Sequence, residues 1–324
     1  MNSISNYKEI TSKYISHLKI DKKPNELYDP IRYILSLGGK QLRPVLTLFS
    51  AEIFGAQHEK ALHAATAIEL FHNFSLIHDD IMDAAPLRRG NQTVHEKWNI
   101  NTAILSGDAM LILAYQFFEN YEPEIFKELA QLFSKTALEV CEGQQMDINF
   151  ETRKDVSVVE YIKMIEYKTA VLVGAALKMG AIVAETSEEN KIAIYNFGLN
   201  LGIAFQLQDD YLDAFGDTAT FGKQIGGDIL ENKKTYLYLL ALENANTEER
   251  QNLQNWFSTI ENNSQEKINK VKNIFVNTKA TLATQKQIED YTNKALTILN
   301  NLEISENHKN ELRTFALDLM NRLV

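Results

Sequence analysis

The chain has 324 residues, 45% of them hydrophobic, enough for two average domains or one large one. A net charge of −10 argues against nucleic acid or an anionic membrane surface as the default partner. The lone cysteine, Cys141, excludes an intramolecular disulfide, residues 1–13 hold no apolar signal core, and no apolar run approaches a membrane-spanning length. The expectation is a cytoplasmic protein that is not integral to a membrane.

All five prolines (Pro24, Pro30, Pro44, Pro86, Pro123) fall in the first 123 residues. The proline-free remainder is rich in Leu, Ala, Glu, Lys and Gln, which favours helix. No train of short alternating segments with Asn-Gly or Asp-Gly turns suggests a sheet. The fold class is all-α.

In chain order, residues 1–20 read as a first helix with Ile10, Tyr14 and Leu18 on one face. Asp29-Pro30 is a helix-start signal, and Gly38-Gly39 ends that helix. Lys40-Gln41-Leu42-Arg43-Pro44 leads into a helix over 45–54, and 57–83 reads as largely helical. Residues 88–92 read as a loop. The segment 101–118 is apolar nearly all round, which predicts a helix in the centre of a large bundle. Further helices are expected over 123–149, 156–182, 188–215 and 233–244, with a glycine-rich loop (Gly216, Gly222, Gly226, Gly227) between the last two. The tail from 246 keeps helical spacing, with N-cap chemistry at Thr247 and Ser264. No linker divides the chain, so 1–324 is expected to be a single large domain.

The chemistry concentrates in two copies of D-D-x-x-D, at Asp79-Asp80-x-x-Asp83 and Asp209-Asp210-x-x-Asp213. Positions i and i+4 share a helix face, so Asp79 pairs with Asp83 and Asp209 with Asp213. Two such pairs facing each other would make a negative mouth that calls for cations. Oxygen-only ligands suit Mg²⁺ completed by water and substrate phosphate. The plain alternative is two solvated acidic patches, but both motifs sit in apolar surroundings where bare carboxylates are costly. Cations lie nearby in sequence: Lys40, Arg43, Arg88, Arg89, Lys168, Lys223 and Lys233. Guanidinium forks and ammonium charges match diphosphate oxygens. His72 returns to the face of Asp79. No nucleophile elbow, phosphate loop or zinc motif is present. Metal, two diphosphate sites and no nucleophile fit ionisation of an allylic diphosphate in a dry pocket.

These motifs, with Gly38-Gly39-Lys40-Gln41-Leu42-Arg43-Pro44 and Gly143-Gln144-Gln145-Met146-Asp147, resemble the trans-isoprenyl diphosphate (polyprenyl) synthases over Gly38 to Lys234. That resemblance implies an antiparallel helical bundle around a deep apolar cavity (the isoprenoid synthase type), usually a homodimer. It implies head-to-tail condensation of isopentenyl diphosphate with an allylic diphosphate. Asp79, Asp80, Asp83, Asp209, Asp210 and Asp213 are then the ligands of roughly three Mg²⁺ ions on the allylic diphosphate. Arg88, Lys168 and Lys223 resemble the cations at that diphosphate, with Lys233 nearby; Lys40, Arg43, His72 and Arg89 resemble the isopentenyl diphosphate site. Gln144 and Asp147 match a polar site on the cavity wall, Thr169 and Gln206 polar residues near the reacting carbons, and Phe205 an aromatic wall.

Two departures from the family pattern stand out. Gln41 replaces an often basic residue, and the C-terminal basic motif of eukaryotic farnesyl synthases is not evident, Arg322 being the nearest candidate. Phe74 and Ser75, five and four residues before Asp79, resemble positions whose bulk plugs the elongation cavity. Phe74 predicts early termination and Ser75 leaves some room, which favours a geranylgeranyl product, with farnesyl next; ordinary core packing is the plain account of Phe74. A class I terpene cyclase or a silent regulatory subunit shares the helical fold, but the second aspartate motif and Lys40/Arg43 argue against both.

Overall fold

The computed structural model describes residues 4–20, 22–216, 225–258 and 265–321. Helices dominate, as composition predicts. Among the described residues the strands are a two-residue antiparallel ribbon, β1 (Leu87–Arg88) with β2 (Asn91–Gln92), where a plain loop is expected. The chain divides into two compact units, Met1–Ser134 with Ala175–Tyr195, and Lys135–Gly174 with Asn196–Val324.

The first unit contains α1 (Ile4–Ser16), α2 (Asn25–Ser36), α3 (Leu42–Ile53), α4 (Leu62–Met82), the short α5 (Val94–Lys97) and α6 (Ile100–Phe118). Its core is built from Ile31, Ile34, Val45, Leu48, Phe49, Ile68, Phe71 and Phe118. Pro30 does not start α2 but lies inside it, and Pro24 occupies the N-cap. The ring removes one backbone donor; the buried stripe Pro30, Ile31 and Ile34 shows what burial offsets that loss. Gly38 and Gly39, both at positive φ, then turn the chain into α3, as the Gly-Gly stop predicts.

The expectation for 101–118 needs correction. α6 forms, but Leu105 (59%) and Ile112 (60%) are exposed, with Ile100 and Ile104. Its opposite face, Ala103, Ser106, Gly107, Met110 and Ala114, is the buried one, because small residues let α4 approach closely. The apolar girdle therefore marks an uncovered stripe of this unit, not a central helix.

The second unit takes the later part of α7 (Pro123–Thr152), α8 (Val158–Ile165), the start of α9 (Val171–Val183), most of α10 (Glu188–Phe215) and the tail helices. Phe150, Met164, Leu207, Leu237, Val271, Phe275 and Ile288 form its core. Between α8 and α9 the chain makes one turn of π-helix, Glu166–Ala170. In the tail, Asn246 rather than Thr247 caps the helix Thr247–Ser258: its Oδ1 accepts from the Glu249 amide, and Glu249 Oε2 accepts from the Asn246 amide. Ser264 lies outside the described residues.

Candidate functional site

Both aspartate motifs sit at helix C-termini. Asp79 and Asp80 lie in the last turn of α4, Asp83 is its C-cap, and Asp213 lies in the last turn of α10. The helix dipole disfavours carboxylates there by about 0.3–1 kcal/mol each. Folding alone does not select such residues, whereas a bound cation would reverse the sign.

In the first unit, the middle aspartate differs from its neighbours. Asp80 is 1% exposed, and its two oxygens accept from Arg88 Nε at 2.8 Å and Arg88 Nη2 at 2.7 Å. Asp79 is half-buried and Asp83 exposed. Both Asp80 oxygens are thus engaged in seating Arg88.

One turn and more before Asp79, a second cluster forms around Arg43. Its Nη1 donates to His72 Nε2 at 3.2 Å, so the imidazole proton is on Nδ1. Burial, and then the Arg43, Arg89 and Arg88 charges, press the His72 pKa well below its ordinary value, and the ring is neutral. Glu69, buried, shares the field of Arg43 and Arg89; its Oε1 accepts from Asn73 Nδ2 at 3.0 Å. Arg89 lies against Gly39, where a Cβ would stand 2.6 Å from the guanidinium. The cluster brings Arg43, His72 and Arg89 together, as the sequence suggests, while Lys40 is exposed. Gln41 is turned to other use: it is buried at positive φ and accepts from Ser12 Oγ at 2.6 Å. Phe74 packs against Phe71 and His78, with ring centroids 5.5 and 4.7 Å apart. The Ser75 hydroxyl donates to the His72 carbonyl at 2.9 Å.

In the second unit, Asp210 is again the buried middle residue. Tyr161 donates to Oδ2 at 2.5 Å and Gln206 Nε2 to Oδ1 at 3.2 Å, and Thr169 Oγ1 donates to Gln206 Oε1 at 3.3 Å. Burial, reinforced by Asp228, raises the Asp210 pKa well above the usual carboxylate range. Asp213 Oδ2 accepts from the Asp228 amide at 3.0 Å. Lys168 Nζ stands 2.5 Å from Asp147 Oδ2, on the π-helical turn. Lys233 contacts Glu231 at 2.8 Å and Asp228 at 3.5 Å. Burial opposes its charge, but the Glu231 hydrogen bond and the Asp228 and Glu231 charges outweigh it and raise its pKa. Gln144 Oε1 is buried without a protein partner, and Phe205 is half-buried. Lys223 and Arg322 lie outside the described residues.

With this geometry in place, the comparisons decide the family. The polyprenyl synthetase family profile matches residues 24–275. The chain belongs to the polyprenyl synthetase family. This prenyltransferase is 42% identical over 237 residues to a geranylgeranyl pyrophosphate synthase of Geoglobus acetivorans, covering 72% of this chain and 74% of that one. It is 38% identical over 258 residues to a geranylfarnesyl diphosphate synthase of Natronomonas pharaonis (74% and 76% covered). Its fold matches the crystal structure of a geranylgeranyl pyrophosphate synthase with a TM-score of 0.92, 52% identity and 99% of each chain covered. A geranylgeranyl pyrophosphate synthase of Corynebacterium glutamicum, complexed with isoprenyl diphosphate and magnesium, matches with a TM-score of 0.87 at 26% identity, covering 99% and 100%. The fold is therefore the all-α isoprenoid synthase type. Among the described residues no helix is long and apolar enough to cross a membrane.

The donor set fits magnesium. Among the described residues no three acidic, His or Cys side chains close a metal cage by themselves. Each motif instead presents carboxylate oxygens at a helix end, which suits an ion that keeps waters and takes substrate phosphate as ligand.

Sequence reasoning passed over several residues. Glu69 is an acidic residue within an apolar stretch, which is the signal that finds it. Asn73 and Tyr161 carry no local signal, because their roles depend on partners in space. Asp228 follows Gly226-Gly227 and is visible as an acid in a glycine-rich turn. Lys234 donates to the carbonyls of Phe150, Glu151 and Arg153 at 2.5, 2.9 and 2.5 Å, closing the end of α7.

Proposed function

We propose that the whole chain, 1–324, acts as one synthase domain. It condenses isopentenyl diphosphate head-to-tail with an allylic diphosphate to a short trans-prenyl diphosphate, geranylgeranyl first and farnesyl next. The observation that carries this reading is the pair of D-D-x-x-D motifs at helix C-termini, each with its middle carboxylate tied to a partner. Asp79, Asp83, Asp209 and Asp213 would hold the ions, roughly three with the allylic diphosphate bound. Mg²⁺ supplies Lewis-acid stabilisation of the departing diphosphate.

The chain's own residues do the rest. Asp80 seats Arg88, and Arg88, Lys168, Lys223 and Lys233 neutralise the allylic diphosphate as its C–O bond breaks. Asp210, through Gln206, orients Thr169, whose dipole faces the developing cation beside Phe205. Lys40, Arg43, neutral His72 and Arg89 hold isopentenyl diphosphate so that its terminal carbon forms the new C–C bond. The proton released leaves on the departing pyrophosphate, which accounts for the absence of a general base. Gln144 and Asp147 act on the wall of the site, Asp147 through Lys168. The exposed apolar stripe of α6 (Ile104, Leu105, Ile112) supports a homodimer, and the cell compartment is the cytoplasm.

The test is incubation of purified protein with Mg²⁺, labelled isopentenyl diphosphate and each allylic primer in turn, with products resolved by length. A geranylgeranyl endpoint is expected. Absence of condensation with every primer would overturn the reading.

A further inference from the structure

The Arg43 cluster contains a buried charge that the reaction described above does not use. Glu69 is 3% exposed on α4, in the stretch Ala64–Phe71 that is otherwise apolar but for Thr66. One oxygen, Oε1, is met by Asn73 Nδ2; the other, Oε2, meets no protein group. Asn73 is itself fixed, since its Nδ2 also donates to the Glu69 carbonyl at 2.8 Å. Arg43 is half-buried, with its Nε buried and unmet, and Asn73 Oδ1 is buried and unmet as well. Glu69 acts on both Arg43 and Arg89 as an opposite charge, yet forms an ion-pair contact with neither.

That arrangement is poor for stability alone. A buried carboxylate contributes to folding when a fork of hydrogen bonds satisfies it, and an apolar residue of like volume does as well or better. Here the carboxylate is hydrogen-bonded to Asn73 and to neither guanidinium, and Arg43 Nε is left without a partner. Burial raises the Glu69 pKa, and the Arg43 charge, the Asn73 hydrogen bond and the Arg89 charge oppose that rise; with Glu69 ionised and His72 neutral, the three charges sum to one net positive. Without Glu69, the half-buried Arg43 and the exposed Arg89 repel with their countercharge removed.

We propose that Glu69 is a positioning residue for isopentenyl diphosphate, holding the Arg43 and Arg89 guanidiniums side by side before the diphosphate arrives. The inference rests on the reading that Arg43, His72 and Arg89 bind that substrate. It makes a counter-intuitive forecast. A carboxylate near an anion site repels the anion, so on field alone its removal should tighten binding. If Glu69 organises the arginines, removal weakens binding instead.

The experiment is steady-state kinetics of Glu69→Gln and Glu69→Asp against the wild type, varying each substrate at saturating levels of the other. Glutamine keeps the volume and the Asn73 contact and removes the charge. The expected result is a rise of about tenfold in KM for isopentenyl diphosphate. KM for the allylic primer should stay within about twofold, and Glu69→Asp should fall between Glu69→Gln and the wild type. A lower or unchanged isopentenyl KM in Glu69→Gln overturns the proposal, as does an equal rise for both substrates, which marks a general structural role. Should Glu69→Gln fail to fold, Glu69→Asp decides alone: its KM rises for isopentenyl diphosphate only, or the proposal fails. A wild type that condenses nothing overturns the underlying reading instead, and that result is seen before any variant is made.

Discussion

Lys168 and Asp147 meet at 2.5 Å because Gly143 lets α7 lie directly on the π-helical turn that carries Lys168. A Cβ on Gly143 would stand 2.3 Å from the Lys168 amide nitrogen, a backbone atom that cannot swing aside. On the other side, a Cβ on Gly202 would stand 2.7 Å from Ala170 Cα. Two glycines thus clasp one irregular turn, and such turns often mark functional positions in helices.

Gly143→Ala is therefore expected to cost about 1–3 kcal/mol of stability by overpacking. Displacement of Lys168 by a fraction of an ångström should also lower kcat/KM for the allylic substrate by about 10–100-fold. Thermal denaturation and steady-state kinetics check the two effects separately. A variant with wild-type kcat/KM would show that the clasp sets packing and not the position of the ammonium.

The aspartates of the first motif should separate by role. Asp80→Asn breaks a buried fork and leaves Arg88 half-paired, a loss of about 3–5 kcal/mol. Asp83→Asn removes an exposed carboxylate at a helix C-terminus, where its charge is unfavourable, so stability should hold or rise by about 0.3–1 kcal/mol. Activity should behave differently: Asp83→Asn is expected to lose about 100-fold or more of Mg²⁺-dependent turnover. Chemical denaturation with an activity assay in titrated Mg²⁺ measures both. Equal destabilisation by the two variants would contradict the division.

Much of this was legible in the chain itself. D-D-x-x-D twice, Gly-Gly before Lys40 and Arg43, and the proline-free remainder all carry their meaning locally, in spacing and residue type. The ribbon at 87–92, the π-helical turn and the exposed stripe of α6 do not. Leu105 and Met110 look alike in sequence; which one is buried depends on which face meets α4. Asp80 and Asp79 are adjacent and chemically identical, and only the reach of Arg88 from the ribbon distinguishes them. Asp210 and Tyr161 are far apart in sequence, so no window along the chain pairs them.

Stability should fall on mild acidification through His72. The ring is held neutral in the folded protein, its pKa lowered by burial and by three arginines, while the unfolded chain titrates near the ordinary value of about 6.5. Below that value the unfolded state takes up a proton that the folded state refuses. Stability from this group is therefore present above about pH 6.5 and is lost as pH falls towards the folded-state pKa, at about 1.4 kcal/mol per unit. His72→Gln should remove that slope. Denaturation midpoints of both proteins between neutral and mildly acidic pH test it, and parallel curves would mean that His72 accepts its proton in the folded state.

Product length should respond to Phe74. The ring is half-buried, packed on Phe71 and His78, and lies just over one turn before Asp79, the first aspartate proposed above to hold metal. If the elongation cavity proposed above ends here, growth of the chain past this level would require room where the ring stands. Phe74→Ala removes the side chain at a cost below the about 3–5 kcal/mol of a fully buried phenylalanine, so the fold should survive. The variant is expected to extend the endpoint by at least one isoprene unit, while Ser75→Phe should shorten it. Chromatography of dephosphorylated products from both variants reads the result directly. If Phe74→Ala keeps the wild-type endpoint, the ring is core packing and the floor of the cavity lies elsewhere. A longer product from Phe74→Ala with no change from Ser75→Phe would place the floor at the ring alone. That outcome is physically reasonable, because the Ser75 hydroxyl is bonded back to the His72 carbonyl and its side chain is turned along the helix.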